Sequence, residues 1–309
     1  MIRLLALDID GTLLDSSGHL PGANRDAIAR AIDRGVEVAL ATGRRYDYAR
    51  PIFEQLPGPL TLILSNGAVV KQRDGRTLMK RLLPREVARD IILSVPQYRH
   101  GAAVTFDRPR TAQIVYQSID WNHPRHGRFF AANRPYLAEV HPLEDCLTED
   151  PVQVMFTGGC AEMRELFTQL RAGLGAGTPS PEGEEPSVCR SAGAAKRAAV
   201  VDEAPNHRYS VALTEYEFRD FSLVDVLQAG CSKGTALEEW SRRQGYVREE
   251  VMAVGDNLND LEMLEFAGRP VVMGNGIVDL KGRGWTVTAS NDEAGVARAV
   301  ETFILRTAS

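Results

Sequence analysis

The sequence predicts an α/β fold in which a parallel sheet, flanked by helices, is interrupted by an inserted α+β domain. Two observations predict it. Apolar runs of strand length alternate with helical periodicities near both ends of the chain, and the region between them lacks this alternation. A length of 309 residues is in keeping with about two domains. We therefore expect one core domain assembled from both ends of the chain and one inserted domain.

The N-terminal block begins with a short apolar run over residues 3–9, which predicts a buried strand. Apolar positions at helical spacing follow over 21–34, and Gly35 ends that helix as a residue suited to the left-handed conformation. Residues 36–41 and 60–64 are the next two strand-like runs. This order predicts parallel strands that are joined by right-handed crossovers.

The C-terminal block has the same organisation. A helix is predicted over 234–244, a strand over 251–254 and a second helix over 259–267. Residues 271–273 form a further strand, and a capping-box spacing at 290–293 begins the last helix. We expect the two blocks to belong to one core domain.

The region between the blocks is predicted to be a separate α+β domain. Residues 1–84 and 226–309 are assigned to the core, and 85–225 to the insertion. Residues 173–191 are rich in Gly, Pro, Ser and Glu and contain few apolar side chains, which predicts a long flexible loop. Within or beside the insertion, helices are predicted over 83–95 and 162–174. Strands are predicted over 111–116, 152–157, 209–213 and 221–226.

The composition excludes several classes of protein. Hydrophobic residues make up 44% of the chain and charged residues 25%, which argues against general disorder and against fibrous structure. With 36 Lys and Arg against 41 Asp and Glu, the net charge is −5. Because binding to duplex DNA depends on neutralising many phosphates, a nucleic-acid partner is not expected.

Cysteine usage and the N-terminal residues predict a cytoplasmic location. The four cysteines form no C-x-x-C pair, which is typical of a reduced intracellular protein. Asp8 and Asp10 interrupt the first apolar run before the core of a signal peptide could form. No apolar run approaches the roughly 18 residues of a membrane span, so no membrane association is expected. Nothing in the sequence indicates an obligate protein partner.

Polar side chains follow the predicted strands where those strands end. Asp8 and Asp10 come directly after the first strand, and Thr42 follows the second. Lys233 precedes a helix of the C-terminal block, and Asp256 follows the strand after that helix. In open α/β sheets, ligands bind at the carboxyl edge of the strands. Neighbouring carboxylates repel each other unless a cation or a proton intervenes, so the sequence predicts a charged binding site at this edge.

These motifs, in this order, resemble those of the haloacid dehalogenase (HAD) superfamily, in its branch of Cof-like phosphatases. The matching segments are Asp8-Ile9-Asp10-Gly11-Thr12, Thr42-Gly43-Arg44, Ser65-Asn66-Gly67-Ala68, Ser232-Lys233-Gly234 and Gly255-Asp256-Asn257-Leu258-Asn259-Asp260. The resemblance covers residues 1–84 and 226–309 and implies a Rossmann-like core. The inserted domain matches in position and length more than in its residues.

The position of the insertion resembles that of a type-2 cap in this superfamily. Only about 30 residues separate Asp10 from Thr42, and one predicted helix fills them. The insertion lies instead between Asn66 and Lys233. Caps of this type are α/β lids that cover the site and select the substrate, so the resemblance implies that specificity resides in cap side chains.

The resemblance also implies roles for the acidic residues. Asp8 would be the nucleophile that attacks phosphorus and forms an aspartyl-phosphate. Asp10 would protonate the leaving oxygen and then act as base on the hydrolytic water. The Asp8 carboxylate, the Asp10 backbone carbonyl and Asp256 would hold Mg²⁺, a hard cation that prefers oxygen ligands.

The remaining motif residues are expected to bind phosphate or to support the site. Thr42, the Gly43 amide and Lys233 would bind phosphate oxygens or offset charge. Asn259 would orient the nucleophile or the phosphate, with simple helix capping as the alternative.

Three further residues have open roles. Asp260 would support Lys233 or the metal shell, again with helix capping as the alternative. Arg44 either reaches the substrate or is a surface charge. Asn66 either binds substrate or braces a turn.

The predicted function is that of a Mg²⁺-dependent phosphatase that hydrolyses small phosphomonoesters, with sugar phosphates the commonest substrates that the resemblance implies. Other small organic phosphates stay open as substrates. A phosphotransferase or mutase would use Asp8 and Asp10 in the same way, but its cap usually lies between Asp10 and Thr42. A dehalogenase would need no second aspartate. A non-catalytic binding or regulatory protein would be expected to have lost one of the motifs.

Overall fold

The computed structural model describes residues 1–109, 111–122, 127–173, 208–216 and 220–306. Apart from Gly173, the loop predicted over 173–191 lies outside these described residues. The described strands are β1 (Leu4–Leu7), β2 (Glu37–Ala41), β3 (Thr61–Leu64), β4 (Val69–Gln72), β5 (Thr77–Lys80), β6 (Ala102–Thr105), β7 (Ile114–Tyr116), β8 (Leu137–Glu139), β9 (Gln153–Gly158), β10 (Tyr209–Tyr216), β11 (Phe221–Gln228), β12 (Val251–Gly255), β13 (Arg269–Val272) and β14 (Thr286–Val287).

The α-helices lie mostly where the periodicity predicts them. The predicted helix over 259–267 is divided into a short 3₁₀ turn, Leu258–Asp260, and an α-helix. The described α-helices are α1 (Gly22–Asp33), α2 (Tyr46–Phe53), α3 (Arg85–Ser94), α4 (Gly127–Asn133), α5 (Cys160–Ala172), α6 (Lys233–Gln244), α7 (Leu261–Phe266), α8 (Val278–Lys281) and α9 (Gly295–Val300).

The larger sheet has the strand order β14-β13-β12-β1-β2-β3-β4-β5. Strand β1 lies in the middle, parallel to β12 on one side and to β2 on the other. All four residues of β1 are buried, as a parallel strand covered on both faces requires. The two ends of the chain thus build one sheet, and the fold is of the predicted α/β class, with the Rossmann-like core that the resemblance implies.

The edge of this sheet differs from the all-parallel arrangement that was expected. Strands β4 and β5 form an antiparallel hairpin, and β4 also runs antiparallel to β3. Asp74 and Gly75 form the turn, and Gly75 adopts a φ of +91°. An Asp-Gly pair is a hairpin signal, but the polar residues around it hide the short strands from a search for apolar runs.

Helices cover both faces of the larger sheet because alternate residues of its strands point to opposite sides. Leu5 and Leu7 belong to one apolar cluster, which also contains buried residues of α1, α2 and α9. Leu4 and Ala6 belong to a second cluster, with residues of α6 and α7. The central strands are thereby held between two helical layers, and their carboxyl ends are fixed in space.

The inserted segment forms a second sheet with the order β10-β11-β9-β6-β7-β8. Its pairs are antiparallel except for β7 and β8. Helices α3 and α5 pack against it and share an apolar cluster that includes Ile91, Leu166 and Phe156. This insertion between β5 and α6 is an α+β cap, while the domain limits at residues 84 and 226 remain a prediction.

Within the described ranges, no helix combines the length and the apolar character that a membrane crossing requires.

Candidate active site

The topology brings the predicted site residues to one edge of the larger sheet. Asp8 follows β1, Thr42 follows β2, and Asn66 follows β3 by two residues. Asp256 follows β12, and Lys233 is the first residue of α6. Because these four strands are parallel, their carboxyl ends lie side by side, which is where the sequence predicted the site.

The centre of the site is a buried ion cluster around Lys233. Its Nζ donates to Oδ1 of Asp8 and to Oδ1 of Asp260, each at 2.7 Å. The Lys233 side chain is 1% exposed, and the two carboxylates are also buried. A buried ammonium group needs such compensation, since removal from water penalises an unpaired charge.

Lys233 is placed by a well-capped helix. The side chain of Ser232 accepts from the backbone N–H of Thr235, and Thr235 Oγ1 accepts from the backbone N–H of Ser232. This capping box fixes the first turn of α6. The position of the ammonium group is therefore set by the backbone of the helix as well as by its ion pairs.

Asp256 contacts the loop that follows β1. Its Oδ1 accepts from Thr12 Oγ1 at 2.7 Å, and both residues are buried. Gly11, with a φ of +83°, passes so close that a side chain there would collide with the Asp256 carboxylate. The glycine is thus required both by its backbone conformation and by this close approach.

Asp260 uses both of its oxygens within the protein. Oδ1 accepts from Lys233, while Oδ2 accepts from the backbone N–H groups of Asp256 and Asn257 at 3.0 and 3.1 Å. The alternatives set out for Asp260 are therefore both present in the geometry. It contacts Lys233, and it also caps the turn that carries Asp256.

Carboxyl groups outnumber cationic groups in this cluster. Burial raises the pKa of Asp8 well above its ordinary value, and the Asp260 carboxylate adds to this shift against the opposing charge of Lys233. Burial, again with repulsion from Asp260, raises the pKa of Asp256 to about 7. Burial alone would lower the pKa of Lys233, but Asp260 and Asp8 together raise it above its ordinary value.

These carboxylates could hold a divalent metal ion. Oxygen atoms of Asp8, Asp256 and Asp260 lie within 4.8 Å of one another. When all are ionised, those three groups and Asp10 carry four negative charges against two positive charges on Lys233 and Arg44. The difference matches the charge of a divalent cation, and the all-oxygen set suits a hard ion such as Mg²⁺. Since Asp260 is fully hydrogen-bonded, Asp8 and Asp256 are the better side-chain ligands.

Asp10 does not share the environment of Asp8. Its two oxygens accept from Arg44 Nη2 and Nε at 2.5 and 2.7 Å, and its side chain is 31% exposed. The Arg44 guanidinium also lies over the ring of Tyr48, with 4.4 Å between Cζ and the ring centroid. Arg44, expected to reach either substrate or solvent, instead contacts Asp10.

Thr42 and Gly43 form a tight loop beside the ion cluster. Thr42 is buried, and its Oγ1 accepts from the backbone N–H of Arg44 at 3.1 Å. Its backbone N–H donates to the carbonyl of Ile63 on β3. Gly43 is exposed.

Asn66 and Asn259 contact each other across the site. Asn259 Nδ2 donates to Asn66 Oδ1 at 3.1 Å. Asn66 Nδ2 donates in turn to Oδ2 of Asp225, a cap residue, at 2.8 Å. Both heteroatoms of the Asn66 amide thus have protein partners, which corresponds to the bracing alternative for this residue.

The cap lies against this edge of the core. Gln113 Oε1 accepts from Arg45 Nη1, and Gln113 Nε2 donates to Asp47, each at 2.7 Å. Asn257 Nδ2, one residue after Asp256, donates to the carbonyl of Glu215 on β10 at 3.0 Å. Cap residues therefore contact both the loop after β2 and the loop after β12.

Sequence reasoning missed two buried polar residues of the site. Thr12 was part of a quoted motif, but no role followed from its position. Asp225 gave only a weak signal, a single carboxylate within the apolar strand β11. A buried charged residue in such a strand needs a partner, and that requirement was the one sign available from the sequence.

Comparison with known families identifies the class of protein that this fold and site define. A family model described as haloacid dehalogenase-like hydrolase matches residues 5–175 and 192–300. The chain belongs to this family, in its Cof-like branch, as the motifs predicted. Three relatives that this chain matches over nearly their whole length are named phosphatases.

Two of these relatives are similar over nearly the whole chain. The 5-amino-6-(5-phospho-D-ribitylamino)uracil phosphatase YwtE of Bacillus subtilis is 24% identical over 303 residues, with 98% of each chain covered. The pyridoxal phosphate phosphatase YbhA of Escherichia coli is 26% identical over 311 residues, covering 98% of this chain and 99% of the relative.

The fold is also found in solved structures. A haloacid dehalogenase-like hydrolase from B. subtilis superimposes with a TM-score of 0.75 at 23% sequence identity. The match covers 98% of this chain and all of the other. At this identity the likeness concerns the fold, including the inserted cap.

Proposed function

We propose that the protein is a Mg²⁺-dependent phosphatase that hydrolyses small phosphomonoesters through an aspartyl-phosphate on Asp8. The observation that carries the proposal is the buried contact between Asp8 and Lys233 beside Asp256. A carboxylate held at a strand end, next to a fixed cation, can attack a phosphate dianion whose charge is offset locally.

In the first step, an oxygen of Asp8 forms a bond to phosphorus while the bond to the leaving oxygen breaks. For this step, one oxygen of Asp10 leaves Arg44 and takes up a proton from solvent, and Asp10 gives that proton to the leaving oxygen. In the second step, Asp10 takes a proton from water, whose oxygen attacks phosphorus and releases Asp8 and inorganic phosphate. For either transfer, one oxygen of Asp10 must leave Arg44, so Arg44 holds Asp10 in place between the two steps.

The phosphate would be bound by Lys233, the Thr42 hydroxyl and the Gly43 N–H. The Asp8 and Asp256 carboxylates, with the Asp10 backbone carbonyl, would hold Mg²⁺. When bound there, the ion would offset the charge of the carboxylates and of the phosphate. The charge balance of the site supports this assignment.

The substrate class is a small phosphorylated metabolite. The relatives named above act on a phosphorylated ribitylaminouracil and on pyridoxal phosphate. Sugar phosphates and phosphorylated heterocycles are therefore the two groups to test first. The cytoplasmic location predicted from the cysteines would place the enzyme with such compounds.

A panel of phosphorylated metabolites, together with p-nitrophenyl phosphate, tests the proposal. We expect Mg²⁺-dependent release of inorganic phosphate from p-nitrophenyl phosphate and from at least one metabolite. Transfer of the phosphoryl group to a second metabolite without release would favour the phosphotransferase or mutase. Binding without any turnover would favour the non-catalytic alternative.

A further inference from the structure

Asp225 is a buried carboxylate on the cap strand β11 that the proposed reaction does not use. Its Oδ2 accepts from Asn66 Nδ2 at 2.8 Å, and its Oδ1 accepts from Gln153 Nε2 at 2.9 Å. Asn66 belongs to the core and Gln153 to the cap strand β9. The carboxylate therefore joins the cap to a loop at the carboxyl edge of the core sheet.

That loop is held in an unusual backbone conformation. Ser65 and Asn66 have φ values of +48° and +51°, in the left-handed region that residues other than glycine rarely adopt. Such a conformation persists where surrounding contacts fix it. The contacts on the Asn66 side chain are thus part of what keeps the loop in place.

Asn66 also lies beside the Thr42–Gly43 loop, which is proposed to bind phosphate. Its backbone N–H donates to the carbonyl of Thr42 at 3.0 Å. A β-carbon built on Gly43 would lie only 3.4 Å from both heteroatoms of the Asn66 amide. Its Oδ1 accepts from Asn259. A change in the orientation of the Asn66 amide would therefore alter the positions of both the Thr42–Gly43 loop and Asn259.

We infer that Asp225 is a positioning residue: by accepting from Asn66 Nδ2, it fixes the orientation of the Asn66 amide and, through it, Asn259 and the Thr42–Gly43 loop. This inference rests on the proposed function. Without an acceptor at position 225, the Asn66 Nδ2 group loses its partner, and only the bond from Asn259 to Asn66 Oδ1 still orients the amide. The amide can then turn from its present orientation, and Asn259 loses its acceptor whenever it does.

The chain offers a matched control in Gln153, the second partner of the same carboxylate. Asp225→Ala removes the acceptor of Asn66, whereas Gln153→Ala removes a bond of similar length and burial but leaves the Asn66 contact intact. Asp225→Asn is the conservative variant. Gln153 Oε1 is buried and has no hydrogen-bond partner, so the Gln153 amide can rotate and accept from the new amide group.

The experiment measures two quantities for each variant at a temperature well below its Tm. The first is kcat and KM for p-nitrophenyl phosphate with Mg²⁺. The second is the Kd of inorganic phosphate with Mg²⁺, by calorimetry, which needs no turnover. We expect Asp225→Ala to lower kcat/KM and to weaken phosphate binding, each by about 10- to 100-fold, as removal of an outer partner of a site residue commonly does. Gln153→Ala and Asp225→Asn should remain close to wild type in both.

Equal losses in Asp225→Ala and Gln153→Ala would overturn the inference, since Asp225 would then be a structural residue only. Wild-type kinetics and phosphate binding in Asp225→Ala would overturn it as well. If the wild type binds phosphate but releases none from any ester, the proposed function fails. The Kd values for inorganic phosphate then still test the role of Asp225. If the wild type binds no phosphate, both proposals fail.

Discussion

Lys233 Nζ lies 2.7 Å from a carboxylate oxygen of Asp8 and equally close to one of Asp260, and all three side chains are buried. The lysine begins a helix, while Asp8 ends a strand more than 200 residues earlier in the chain. One ammonium group thus compensates two carboxylates that come from different elements. This arrangement links the stability of the core to the chemistry proposed for Asp8.

Lys233→Met should weaken both activity and stability. Removing one partner of a buried ion pair costs about 3–5 kcal/mol, and the loss of a fixed positive charge near the phosphate should lower kcat by at least about 10²-fold. Without the ammonium group, the pKa of Asp8 rises further, so this carboxyl is neutral at low pH and its burial costs least there. The loss in Tm should therefore be larger at pH 8 than at pH 5. Lys281→Met, at an exposed position, is the control, and equal effects of the two variants would contradict the prediction.

Activity should depend on a divalent cation that prefers oxygen ligands. EDTA treatment should abolish phosphate release, and Mg²⁺ should restore it, because four carboxylates with only two cationic partners repel a phosphate dianion. Ca²⁺ should restore little, since its looser coordination misplaces the nucleophile. Phosphate release is measured after addition of each metal. Full activity of the metal-free protein would show that the acidic cluster has another purpose.

Asp10→Asn should affect substrates according to their leaving groups. An alkoxide leaving from a sugar phosphate is strongly basic and needs a proton, whereas p-nitrophenolate needs it less. General acid catalysis contributes about 10²- to 10⁴-fold, so the single-turnover burst should slow far more for the sugar phosphate. Equal slowing for both substrates would mean that Asp10 acts by position alone, for example through its contact with Arg44.

Asp225 should make the stability of the protein depend on pH. Burial raises the pKa of Asp225 to about 7 from an ordinary value of 3.8. Between about pH 4 and pH 7, the folded state therefore binds more protons at this group than the unfolded state does, and its contribution to stability falls as pH rises. Above pH 7 the contribution of Asp225 to stability is at its lowest value, up to about 4 kcal/mol below its value near pH 4.

Asp225→Asn removes this titration. The Tm of the variant relative to wild type should therefore increase between pH 4.5 and pH 8. Asp279→Asn changes an exposed aspartate and should leave the Tm difference from wild type independent of pH. A Tm difference for Asp225→Asn that stays constant across this range would refute the predicted protonation.

The sequence predicts the core and its site far better than the cap. Asp8, Thr42 and Asp256 each end a buried apolar strand, so the alternation of strands and helices already places them at one edge of the sheet. Lys233 could be added because it begins a helix of the same block. These positions depend on local patterns, which a single sequence contains.

The contacts between cap and core could not be predicted in this way. Asn66 and Asp225 are separated by 159 positions, and Gln113 meets Arg45 across 68. The periodic pattern of apolar residues does not indicate which residues of the two sheets face each other, because that depends on how the cap packs on the core. The pairing of Arg44 with Asp10 was missed for a related reason. An arginine side chain at a loop can reach many partners, and only the tertiary structure selects one.

Detection of a phosphoenzyme tests the central claim most directly. The purified protein with Mg²⁺ is mixed with ³²P-labelled p-nitrophenyl phosphate, quenched in acid within one turnover, digested and mapped by mass spectrometry. We predict an acid-stable, hydroxylamine-labile label on the peptide that contains Asp8, present in wild type, increased in Asp10→Asn and absent from Asp8→Asn. Asp8→Asn should also lose turnover by several orders of magnitude while keeping the fold. A label on any other residue, or a burst of phosphate release with no labelled peptide at any quench time, would contradict the account.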